Sequence, residues 1–144
     1  MAGLFGSLNA SDGINTGTGA KTKLQYTAPA NTGAKVTRFW LHGKGTDPAA
    51  AQGMFEIVKG ATGGTGSTVN PAKSHGHTGS MQGTGKEDFS VEPTGGTVVY
   101  RDGMHPQGNK NIPRDFILNP GETLAIRTTM PASVGMEFGF NVEE

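Results

Sequence analysis

The chain has 144 residues, 12 basic and 12 acidic side chains, and no cysteine. That length suits one domain with one core. Zero net charge lacks the basic surplus that phosphate binding requires, so a nucleic-acid partner is not expected. Without cysteine there are no disulfides and no thiolate metal sites.

Apolar residues make up 33%, alongside 24 glycines and 8 prolines. That balance predicts an all-β domain with many turns and a thin core. No apolar run approaches the roughly 18 residues of a membrane span, so no membrane association is expected. The N-terminus has no basic n-region, and Ala2 breaks the myristoylation motif, so neither a signal peptide nor an acyl anchor is expected.

Residues 1–22 are mostly small and polar, which predicts a flexible N-terminal arm. Leu4, Phe5 and Leu8 give this arm an apolar tip that could dock on a neighbouring subunit. Residues 23–144 are expected to form a β-sandwich domain. Leu24 and Tyr26 share a face of the first strand. Residues 35–42 (KVTRFWLH) form the clearest strand of the first half. Strict alternation puts Val36, Arg38, Trp40 and His42 on one face and Lys35, Thr37, Phe39 and Leu41 on the other. Both faces then carry an aromatic ring, as in a strand covered by the core on one side and by a loop or partner on the other. Phe55 and Ile57 point inward from the next strand.

Residues 60–88 hold only a handful of apolar side chains among many glycines. This predicts a long glycine-rich loop, with one weak strand near residues 67–69, fixed against a partner if at all. Residues 97–101 (TVVYR) are a β-branched strand, and 104–113 a second irregular loop. The last 31 residues carry the firmest pattern. Phe116 and Leu118 alternate, Asn119-Pro120-Gly121-Glu122 reverses the chain, and Leu124 and Ile126 share a face. Met136, Phe138, Phe140 and Val142 then alternate with Glu137, Gly139, Asn141 and Glu143. Pro120 and Gly121 suit the two central positions of a type II turn. The count is about eight strands and no convincing helix.

Motifs for chemistry are sparse. His75 and His77 have a metal-like spacing, but they sit among glycines, and His42, Glu87, Asp88 and His105 are not placed by any pattern as further ligands. No metal site is assigned. Gly-x-Ser-x-Gly is absent, and the glycine run at 60–66 lacks the Gly-Lys-Ser/Thr of a phosphate loop. Glu87-Asp88 and Glu143-Glu144 are adjacent pairs that point apart on a strand. No catalytic residue and no cofactor are expected.

The segment FILNPGETLAIR (116–127), followed by an amphipathic strand ending in NVEE, resembles the C-terminal part of tailed-bacteriophage capsid decoration, or cement, proteins. In those proteins a PGE turn and an alternating strand close a jelly-roll-like β-sandwich. Similar turns occur in cupins, whose metal-binding histidine and glutamate pattern is missing here. The resemblance implies a non-enzymatic structural virion protein on the outer capsid surface. Its partner would be the major capsid protein, its own state a trimer, and its effect stabilisation of the shell by bridging neighbouring subunits. Partner contacts would then fall on the arm tip, Leu4, Phe5 and Leu8, and on the loop, including His75, His77 and Met81. The alternative is a glycan- or receptor-binding β-sandwich module of a virion spike or adhesin, which needs an aromatic side chain at an exposed site.

Overall fold

The computed structural model describes residues 3–11, 14–44, 52–74 and 78–144. These contain thirteen strand segments, numbered in chain order, and no helix. They form two antiparallel sheets. The seven-stranded sheet runs β10 (Asn109–Ile112), β4 (Ala34–Gly43), β13 (Gly135–Glu143), β1 (Phe5–Asn9) and β7 (Ala72–Lys73). In addition, β11 (Phe116–Leu118) pairs with β4, and β2 (Ile14–Asn15) with β13. The six-stranded sheet runs β6 (Thr65–Val69), β8 (Thr84–Val91), β3 (Gly19–Thr27), β12 (Thr123–Met130), β5 (Gly53–Lys59) and β9 (Thr97–Met104).

The core lies between the sheets. Met136, Phe138, Phe140 and Val142 of β13 are all buried, and meet Leu24, Tyr26, Phe55, Ile57, Leu124 and Ile126 from the other sheet. Aromatic rings carry much of this contact. Phe140 packs against Phe39 at 5.3 Å between centroids and edge-on to Tyr26 at 6.3 Å. Such rings bury large areas and favour tilted or edge-on contacts.

The Asn119–Glu122 turn has the expected geometry. Gly121 has φ +74°, Glu122 N–H donates to Asn119 C=O at 3.0 Å, and the Glu122 carboxylate accepts from Asn119 N–H. Gly121 N–H also donates to Pro29 C=O, which ties this turn to the connection between β3 and β4.

Three local expectations differ from the structure. Part of the predicted arm is strand β1, paired with β13 from Phe5↔Glu143 to Asn9↔Gly139 and with β7 on its other edge. Gly6 and Leu8 alternate inward, and Leu8 is fully buried. Two of the three inward-facing positions of this stretch, Gly6 and Ala10, are small, so the period-two signal is weak in sequence. Much of the predicted glycine-rich loop is also strand: β6, β7 and the first part of β8. Its glycines permit close approach. A Cβ on Gly85 would lie 2.4 Å from Val69 O and 2.7 Å from Leu8 Cδ1. Residues 109–112, expected within the second irregular loop, are likewise strand β10, and with β1, β2, β6 and β7 this accounts for the strands beyond the expected eight.

The third difference is in β4. Thr37 pairs with Asn141 and Trp40 with Gly139, so Arg38 and Phe39 together oppose Phe140. This is a β-bulge, with Arg38 in the left-handed region at φ +49°. The extra residue resets the alternation. Val36, Phe39 and Leu41 are buried in the core, whereas Arg38 is exposed and Trp40 half-buried. A strict period of two had put Phe39 and Val36 on opposite faces.

Candidate functional site

The bulge defines a notch on the outer face of the seven-stranded sheet. On the far side of β4, β10 pairs with residues 39–42 and β11 with residues 34–36. Between them Pro113, Arg114 and Asp115 leave the ladder. Pro113 has no N–H to contribute to a sheet. Arg114 turns away to stack over the Tyr100 ring at 4.9 Å, and Asp115 pairs with Lys35 at 3.2 Å. The bulge in β4 and the gap between β10 and β11 therefore fall side by side.

A cavity of about 450 Å³ opens there, lined by Arg38, Phe39, Trp40, Asn111, Ile112, Pro113 and Asn141. Trp40 lies over Gly139. A Cβ at Gly139 would sit 2.2 Å from Trp40 Cζ2, so only glycine leaves room for the indole. Asn111 is in register with Trp40, and Asn141 with Thr37, on the flanking strands. Among the described residues, Arg38 has no ion-pair partner, and the Asn111 and Asn141 amides have no side-chain hydrogen bond. Aromatic surface, one cation and two unspent amides thus converge on one concavity. Such a site can bind a small polar ligand, and its residues supply no nucleophile or general base.

The same face continues along β13. Asn141 lines a second, smaller depression with Phe5, Gly6, Thr37 and Glu143. Glu143 lines a third with Ile117, Lys35 and Gly33. Register places Phe5, Glu143, Lys35 and Ile117 in one row across β1, β13, β4 and β11. Ile117 is 64% exposed and Phe5 43%. The sheet's outer face therefore has an apolar-flanked end at this row and an aromatic, amide-rich end at Trp40.

The remaining polar clusters brace the fold. On the outer face of the six-stranded sheet, buried Glu56 accepts from Arg101 Nη2 at 2.5 Å and from Arg127 Nε at 3.1 Å. Burial opposes its ionisation, but the two guanidiniums outweigh that and hold its carboxyl below the usual value. The Glu144 carboxylate accepts from Tyr26 O–H at 2.7 Å, Gly83 N–H at 2.7 Å and Gln82 N–H at 2.5 Å. Burial, reinforced by this carboxylate, pushes the Tyr26 phenol far above its ordinary range. Ser11 donates its N–H and hydroxyl to buried Glu87.

The residues expected to contact a partner are dispersed. Leu8 is a core residue, so its side chain has no surface to offer, which corrects its assignment to an arm tip. Leu4 is half-buried beside Gly79, and Met81 packs against the core. Of the described members of this set, Phe5 alone reaches the outer face described above. His75 and His77 lie outside the described residues. The side chains weighed as their co-ligands are separately engaged: His42 with Glu137 at 3.7 Å, Glu87 with Ser11, Asp88 with Lys23, and His105 with Gln107 N–H. Arg38, Asn111 and Asn141 carry no signal in sequence, because the bulge and the β10–β11 gap that gather them have no motif. No protein-family model matches the chain, and no curated protein matches it in sequence.

Proposed function

We propose that the protein is a non-enzymatic structural component of a virion, which binds the outer surface of a phage capsid and stabilises it by bridging major capsid subunits. The proposal takes the sandwich as jelly-roll-like and the assembly as a homotrimer. In its support, the PGE turn joins β11 of one sheet to β12 of the other. The chain also crosses between the sheets repeatedly, and two of these crossings, β3 to β4 and β12 to β13, lie side by side, with β3 paired to β12 and β4 to β13. The observation that carries the proposal is the row from Phe5 to Ile117. There, two exposed apolar side chains flank Glu143 and Lys35 on the outer sheet face. That combination suits a protein surface more than a nucleic acid or a reacting substrate.

The test is co-sedimentation with capsid shells lacking the protein, with mass in solution measured alongside. Wild type pellets with the shells in a fixed ratio, and Ile117→Asp stays in the supernatant while keeping its thermal midpoint. Wild type that remains in the supernatant overturns the proposal. A receptor-binding role, the second reading, is favoured by Trp40, whose half-buried ring lines the notch on the outer face and supplies the aromatic group that such a module needs.

A further inference from the structure

We infer that the notch at Trp40 is a saccharide subsite, and that it takes an acidic hexopyranose. This deepens the receptor-binding reading and is separable from capsid docking at the Phe5–Ile117 row, since Arg38, Trp40 and Asn111 are not part of that row. The chemistry follows from four side chains. The indole is supported from beneath by the Gly139 backbone, so it presents a fixed aromatic surface. Aromatic faces carry negative quadrupole density, which suits the polarised C–H bonds on the flat side of a pyranose ring. Asn111 and Asn141 stand on the two strands that flank Trp40 in β4. Each amide offers both donors and an acceptor, the combination that neighbouring sugar hydroxyls require.

Arg38 sets the class of sugar. Arg38 lines the notch, is exposed, and has no carboxylate partner among the described residues. A planar guanidinium pairs best with a carboxylate in a two-pronged geometry. The residue is also held at φ +49°, a conformation that non-glycine residues avoid unless their surroundings impose it. The bulge turns Phe39 into the core and leaves Arg38 outside, beside the aromatic platform. The cavity volume of about 450 Å³ lies within the range of small-ligand sites.

Trp40 is the single tryptophan of the chain, so emission excited selectively at tryptophan reports on this notch alone. The full chain is titrated with glucuronate, galacturonate, glucose, galactose and sodium acetate. A saturable change in emission is expected with at least one of the uronates, with a dissociation constant on the order of 1 mM. The neutral sugars and acetate should bind about tenfold more weakly or not at all. Arg38→Gln should weaken uronate binding about tenfold and abolish the preference over the neutral sugar. Asn111→Ala, at an exposed position, should weaken binding several-fold with an unchanged circular dichroism spectrum. No saturable response to either uronate overturns the inference. So does an equal response to neutral sugars, or one that acetate reproduces. Shell co-sedimentation by wild type is unaffected by any of these results, so the two readings fail separately.

Discussion

Replacing Leu8 by alanine tests whether the first strand belongs to the core or is an appendage. Leu8 is 0% exposed, opposite Phe140 on β13 and against Gly85 of β8. It is thus held between the two sheets, where little can collapse into the space it would leave. Leucine-to-alanine changes in such sites cost about 2–5 kcal/mol, the upper part applying where surroundings cannot relax. A chain of 144 residues has an unfolding entropy near 0.3 kcal/mol/K, from about 2.1 cal/mol/K per residue. The thermal midpoint should therefore fall by roughly 7–16 °C. Calorimetry, paired with urea denaturation to check that the m-value is unchanged, measures this directly. Phe5→Ala in the same strand, at an exposed position, is the control and should cost well under 1 kcal/mol. A Leu8→Ala midpoint within 1–2 °C of wild type, as a free arm would give, refutes the reasoning.

Gly85→Ala distinguishes two explanations of the glycine content. A flexible loop would gain about 0.4–1 kcal/mol from the change through its unfolded state. The contacts with Val69 O and Leu8 instead predict a loss of roughly 1–3 kcal/mol, read as a lower urea midpoint. Glu56→Gln should flatten the acid limb of the stability curve. The folded carboxyl is held below its ordinary 4.5, so its contribution is fully present above that pH and is lost as pH falls through the lower folded value. Wild type and variant should therefore differ most near neutrality and converge in acid. Two parallel curves would show that the arginine pair contributes nothing to this titration.

The last two strands were legible in sequence because large apolar residues occupy every second position and a proline-glycine turn separates them from β11. Strand β1 was hidden by Gly6 and Ala10, whose inward positions carry almost no hydropathy. The segment from 60 to 88 was hidden for a related reason. Gly64, Gly66, Gly79, Gly83 and Gly85 mark places where another strand or a side chain passes close by, and composition does not distinguish that from mobility. In β4 the failure was one of phase. Alternation was read correctly up to Thr37, but a single extra residue inverted the assignment of Phe39, Trp40 and Leu41. The candidate site sits at that inversion. Trp40 could be seen as an aromatic residue in need of an explanation, while Asn111 and Asn141 reach it only through long-range pairing.

The inserted residue in β4 has one more implication. Omitting Arg38 on paper leaves Val36, Phe39 and Leu41 facing inward and Thr37, Trp40 and His42 outward, now in perfect alternation. The sandwich would lose nothing from its interior, and the strand would shed a backbone conformation that costs on the order of 1–3 kcal/mol. The architecture is thus indifferent to this position, and the surface is its sole beneficiary.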